Sequence, residues 1–142
     1  MKFTLDWLKD HLDTSENLNT ITDTLTNIGL EIESVEDKSE IFKNFTVAKV
    51  LKAEKHPDAD KLKVCQVETI NGNYQVVCGA PNAREGMLGI FAPENSYIPG
   101  TDLHLKKTKI RGVESCGMLV SEREMGISDE HDGICLLYTS DA

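Results

Sequence analysis

Between His56 and Met87 the sequence HPDADKLKVCQVETINGNYQVVCGAPNAREGM leaves the backbone few choices. Pro57 holds the residue before it extended and opens a turn. A run rich in apolar residues follows to Ile70. Asn71-Gly72 is a strong hairpin signal, and a return strand from Tyr74 stops at the corner Gly79-Ala80-Pro81-Asn82. A chain with this hairpin at its centre is predicted to be mainly β. Its strands are expected at 45–54, 62–70, 74–78, about 88–92, 103–111 and 117–120. Pro99-Gly100 and the glycines at 79, 86, 89, 112 and 117 stand where a small barrel must bend. Leu62 and Val64 share one parity while Cys65 and Val67 take the other, which calls for a strand covered on both faces or a bulge near residue 64. Ser121 to Glu124 reads as a capping box opening one helical turn that Gly126 ends, and 129–132 as an acidic turn.

The chain in front of this β region has a different character. Residues 4–12 predict a short helix capped by Thr4, with Asp6 at its positive end. Asp13-Thr14-Ser15 breaks it and caps a second helix over about 16–28, whose apolar positions are Leu18, Ile21, Leu25 and Ile28. Gly29 stands at the C′ position. The Thr and Asn content of that helix is unfavourable, so packing must hold it. Leu30-Glu31-Ile32-Glu33 alternates strictly and predicts a half-buried strand. Such a helix–helix–strand unit buries little by itself. Asp37-Lys38-Ser39-Glu40 is the polar joint, which divides the chain into residues 1–40 and 41–134.

Charge follows the same division. The net charge of −9 is weighted forward: residues 1–40 carry 3 basic and 10 acidic side chains, and 41–134 carry 12 and 13. The nearly neutral β part is therefore open to a phosphate-bearing partner that the total alone would argue against. Cys65, Cys78, Cys116 and Cys135 form no CxxC pair and have no histidine at zinc-like spacing, so free thiols are expected and no metal site. The start MKFTLDWLKDHLD has no apolar core of a signal peptide and no run is long enough to span a membrane. A soluble, cytoplasmic protein is expected.

Lys106, Lys107, Lys109 and Arg111 give four positive charges over 104–111 with no acid between them. On a strand, Lys107, Lys109 and Arg111 line one face, either as a phosphate-tracking stripe or as a solvated edge protected by lysines; the barrel context favours the stripe. Lys61 and Lys63, within a lysine-rich stretch from Lys43, extend such a groove or are ordinary surface charge. His56 with Asp58 and Asp60 reads as turn chemistry rather than an acid–base or metal site. Asn82 either presents its amide to a base or closes its corner. No nucleophile–base pair, phosphate-cradling glycine loop or zinc-hydrolase pattern is present, so no catalytic residue is expected.

The segments MKFTLDWLKDHLD, IGLEIESVE, KHPDADKLKVCQV, VVCGAPNAREGM, KKTKIRGVESCGM and SEREMGISDEHDGI together resemble the N-terminal region of bacterial phenylalanyl-tRNA synthetase β subunits. The β part alone is also similar to the tRNA-binding modules at methionyl-tRNA synthetase C-termini and to free-standing tRNA-binding proteins; residues 1–40 favour the β subunit. The resemblance implies a five-stranded Greek-key OB-fold barrel behind a small α/β appendage, with tRNA and a synthetase α subunit, in an α2β2 enzyme, as partners, and neither DNA nor membrane. A protein-docking role for the barrel stays open beside tRNA binding. It implies that Ser115, Met118 and Ser121 shape the tRNA groove beside Arg111. It also implies that ATP and magnesium are handled elsewhere in the parent ligase, with no cofactor in this part. Cys116 and Val120 depart from the family's usual Asn and Cys. The last eight residues, 135–142, depart from its continuation and read as an in-frame adapter, so a truncated chain with a non-native tail is expected. Without the segment that follows in the family, Trp7, Leu12, Leu25 and Ile32 are expected to form an exposed apolar patch.

Overall fold

A computed structural model describes residues 1–138. The chain divides into two compact units, Met1–Asp37 and Lys38–Ala142.

In the first unit Thr4 caps α1 (Leu5–His11), its Oγ1 accepting from the Trp7 N–H at 3.1 Å. Helix α2 (Leu18–Asn27) begins later than the sequence predicts, because Asn17 is the cap: its Oδ1 accepts from the Thr20 N–H at 2.9 Å. Thr22, Thr24 and Thr26 turn their hydroxyls back onto the carbonyls of Asn19, Thr20 and Thr22. This is the competing use of the side chain that makes threonine a weak helix former. Gly29 (φ 95°) ends α2 in a Schellman motif, with Leu30 N–H donating to the Leu25 carbonyl and Gly29 N–H to that of Thr26. Ile21 is buried and Leu5, Leu8, Leu18 and Leu25 are half-buried.

The predicted strand at 30–33 does not form. A strand exists only where a neighbour takes up its N–H and C=O groups, and no described residue pairs with this segment, so alternation alone leaves it irregular. Trp7 (56%) and Leu12 (47%) are exposed, whereas Leu25 and Ile32 are half-buried. Apolar exposure is thus present, but it is spread over Trp7 on α1, Leu12 just after it, and Ile28 and Leu30 after α2.

The second unit opens with a single turn, α3 (Ser39–Phe42), which starts inside the expected polar joint and runs two residues past it. Its sheet is five-stranded and antiparallel: β1 (Thr46–His56), β2 (Ala59–Thr69), β3 (Gly72–Cys78), β4 (Leu88–Pro93) and β9 (Gly117–Leu119), ordered β3-β2-β1-β4-β9. Two small hairpins, β5–β6 (Tyr97–Ile98, Leu103–His104) and β7–β8 (Thr108–Ile110, Val113–Ser115), complete it. The central hairpin forms with its turn one residue early. Thr69 pairs with Gly72, so Ile70-Asn71 are the turn residues, while Gly72 carries the positive φ of 127° and the Thr69 hydroxyl brackets the turn. Two shifts interrupt the β1–β2 register: Val50 faces Val67 and Lys52 faces Gln66, leaving Leu51 on β1 as an extra residue, and Lys55 faces Lys63 whereas His56 faces Ala59, which leaves residues 60–62 of β2 outside the pairing.

Val50, Cys65, Val67, Val76, Phe91 and Leu119 are part of the main core, and the half-buried Tyr74 stacks on it with its ring 5.0 Å from that of Phe91. A second cluster of Ala92, Ile98, Val120 and Met125 lies under the β5–β6 hairpin side. At the far edges of the sheet, Cys116 N–H donates to the Gln75 carbonyl at 2.9 Å and Val77 N–H to Ser115 Oγ at 3.1 Å. Residues 135–138 run beside the sheet, with Cys135 N–H bonded to the Val120 carbonyl and Leu137 N–H to that of Leu88. The remainder of the expected non-native tail, 139–142, lies outside the described residues.

Candidate nucleic-acid interface

The basic segment is not one continuous strand. Leu105 is pinned by two backbone bonds, donating to Ser96 and accepting from Asn95, both 2.8 Å. The chain then leaves β6, runs irregularly through Lys106 and Lys107, and starts β7 at Thr108. Pairing of Ile110 with Val113 makes Arg111-Gly112 a two-residue hairpin turn, with φ of 48° and 84°. The shared face predicted for Lys107, Lys109 and Arg111 is therefore lost, since Arg111 sits at the tip of the turn and Lys107 before the strand.

A basic hairpin takes its place. Lys106, Lys107, Lys109 and Arg111 are all exposed, and Glu114 is the one acid among them over 106–115. Lys107 Nζ lies 2.6 Å from Glu114 Oε1, and Lys109 is the cross-strand partner of Glu114. The hydrogen bond from Lys107 and its charge, with Lys109 adding to them, hold the Glu114 carboxyl below the usual carboxylate range. The same contact raises Lys107. Lys106 and Arg111 make no ion pair among the described residues.

His56, buried under the turn of β1 and β2, ties this hairpin to the sheet. The Asp58 N–H donates to His56 Nδ1 at 3.0 Å, which leaves Nε2 as the protonated nitrogen facing the Ile110 carbonyl, also at 3.0 Å. The consequence is a juxtaposition that the sequence leaves as only one of two alternatives for Lys61. Arg111 and Lys61 line one open surface cleft with Asp58, Ala59, Asp60 and Leu62, and Asp60 is itself bridged by Lys55 at 2.7 Å.

The other candidates serve the framework. Lys63 is half-buried and its ammonium donates to the Ala83 carbonyl. Asn82 closes its corner: Nδ2 donates to the Ile134 carbonyl at 2.8 Å and Oδ1 accepts from the Ile134 N–H at 3.0 Å, so both amide atoms have a partner inside the fold. Ser115 is buried, accepting from Val77 N–H and donating to the Gly117 carbonyl. Ser121 is the capping box as predicted, its N–H on Glu124 Oε2 at 2.6 Å and its Oγ accepting from the Glu124 N–H. Met118, half-buried on β9, packs against the second core cluster.

A five-stranded sheet carrying a tied-down basic hairpin defines a class, and the comparisons agree with it. Residues 45–141 match the family described as "Putative tRNA binding domain", and the chain belongs to that tRNA-binding domain family. Over 94% of its length it is also similar to phenylalanine–tRNA ligase β subunits, 56% identical to that of Bradyrhizobium diazoefficiens and 59% to that of Mesorhizobium japonicum, each over 136 residues. It is homologous to their N-terminal, tRNA-binding region, and spans 17% of their length. Among solved structures, the MetRS-related protein of Pyrococcus horikoshii superposes with a TM-score of 0.50 at 28% identity, covering 74% of this chain and 90% of that one.

Proposed function

We propose that this chain is the tRNA-recruiting front part of a cytoplasmic phenylalanine–tRNA ligase β subunit, acting by binding and not by chemistry. The observation that carries the reading is the β7–β8 hairpin with the Lys106-Lys107 run leading into it, which together offer four exposed cations against one acid on a scaffold of the tRNA-binding family. Lys106, Lys109 and Arg111 are the phosphate contacts, Lys61 joins Arg111 across the cleft, and Lys107 exchanges Glu114 for phosphate. Met118, Ser115, Ser121, Asn82 and Lys63 hold the surface in shape. The similarity to β subunits covers 94% of the chain, including the helical unit, and this favours the β-subunit reading over a free-standing module such as the archaeal MetRS-related protein.

Three finer readings belong to the proposal. The bonds from Cys116 to Gln75 and from Val77 to Ser115 support closure of the sheet into a Greek-key OB barrel. The domains are 1–40 and 41–134, with 135–142 a tail. In the assembled α2β2 ligase the α subunit is the protein partner and supplies the ATP- and magnesium-dependent chemistry.

Binding of this kind is weak and largely shape-based. The 142-residue chain should bind tRNA at low salt and lose affinity in the Lys106→Ala/Lys109→Ala/Arg111→Ala variant. Equal binding by variant and parent, with both folded by circular dichroism, refutes the assignment to this hairpin. No binding by the parent at any salt leaves protein docking as the domain's role.

A further inference from the structure

We propose that Tyr97 and His104, the exposed aromatic pair on the β5–β6 hairpin, form a stacking platform for one unpaired base of the bound RNA, with Lys106 holding the neighbouring phosphate. The inference rests on the tRNA-binding reading above and adds to it a site for the base.

Tyr97 lies opposite His104 and Ile98 opposite Leu103. The two-residue period of a strand turns Ile98 inward, where it is fully buried, and Tyr97 outward. The Tyr97 and His104 rings stand 5.0 Å apart between centroids at 45°, and both residues are exposed. They are held firmly. Leu105 is bonded on both sides to Asn95 and Ser96, and Gly100 N–H donates to the Glu124 carbonyl at 2.8 Å. The loop lies so close to that neighbouring turn that a Cβ on Gly100 would collide with the Arg123 backbone. Tyr97 Oη donates to Asp102 Oδ1 at 2.6 Å, which fixes the phenol, and Asp102 itself sits at a φ of 51°. A phenol face fixed in this way has little side-chain freedom left to lose on binding.

Charge decides which part of a nucleotide fits. The Asp102 carboxylate at the edge of the phenol repels phosphate, so the ring faces suit an uncharged base. The cation is close at hand: Lys106 follows His104 by two residues, at most ~7 Å of extended chain. It is exposed and makes no ion pair among the described residues. Stacking on aromatic rings tolerates any base, which suits a domain that reads shape more than sequence. Single-stranded loops and ends, whose bases are already unstacked, are the part of a tRNA that such a platform accepts.

The test titrates the 142-residue chain with tRNA at several salt concentrations. The parent is compared with Tyr97→Ala, with His104→Ala, and with the ring-preserving Tyr97→Phe and His104→Phe. Each alanine variant is expected to bind roughly 5- to 150-fold more weakly, the effect of removing one base–aromatic stack. Its line of log K against log salt should run parallel to the parent's, because a stack releases no counterion, while Lys106→Ala should flatten that line. The phenylalanine variants should bind within about a factor of two of the parent, a difference well below one stack. Alanine variants that bind as the parent does, or phenylalanine variants that lose as much as alanine, overturn the platform while the tRNA-binding reading stands. A parent that binds no tRNA at low salt overturns both.

Discussion

Replacing His56 by alanine should loosen the basic hairpin from the sheet without touching RNA directly. The imidazole is 2% exposed and both its nitrogens are engaged, one by the Asp58 N–H and one by the Ile110 carbonyl 54 residues away. Removing it leaves those two backbone groups without their partner and a void beneath the β1–β2 turn. An unsatisfied buried group costs ~1–3 kcal/mol, but Asp58 is exposed and Ile110 only half-buried, so water recovers part of this. With the lost side-chain burial included, the variant should be destabilised by about 2–4 kcal/mol. In a domain of this size that is a fall in Tm of about 10–25 °C. Urea unfolding followed by far-ultraviolet circular dichroism is the suitable assay, because the sole tryptophan, Trp7, lies on α1 in the other unit. His56→Phe, which fills the space but makes neither bond, should recover only part of the loss. A His56→Ala variant within about 0.5 kcal/mol of the parent, the range of an ordinary surface change, would refute the tie.

Gly117→Ala should be among the most damaging single changes in the sheet, since a Cβ there meets the Ala92 carbonyl and the Phe91 ring; a loss of about 3 kcal/mol or more by urea unfolding is expected. Burial pushes the Cys65 thiol up to about 11, with Cys78 adding to the shift. As pH rises past the ordinary thiol range the unfolded chain gives up this proton and the native one keeps it, so Cys65 should lower stability progressively up to about pH 11, an effect absent in Cys65→Ala. Thiol labelling of the native protein at pH 8 should reach half-buried Cys116 before buried Cys65 or Cys78.

The elements legible from the sequence are those whose signal is local. Thr4, Gly29 and the Ser121–Glu124 box each act through bonds within a few residues, and all form as their chemistry predicts. The central hairpin is legible but shifted by one residue, because the Thr69 hydroxyl stabilises a turn at Ile70-Asn71 that hydrophobic pattern does not encode. Residues 30–33 mislead because alternation describes one strand, whereas pairing needs two. The break between β6 and β7 is silent for a related reason: Lys106 to Lys109 prefer solvent in any conformation, so nothing there marks where pairing stops. Lys61 and Arg111 meet only through the His56 tie, and Tyr97 meets His104 only once the Pro99–Asp102 loop is seen to close a hairpin between them. Asn82, Ser115 and Ser121 stood out in the sequence as polar residues in motifs, yet their polar atoms are used inside the fold.

The salt dependence of tRNA binding tests the central claim most directly. With phosphate contacts from Lys106, Lys109 and Arg111, and a fourth if Lys107 exchanges Glu114 for phosphate, log K should fall with log salt at a slope of about −2 to −4. Each of Lys106→Ala, Lys109→Ala and Arg111→Ala should reduce that slope by about one. A slope near zero, or one that none of the three substitutions changes, would contradict the account.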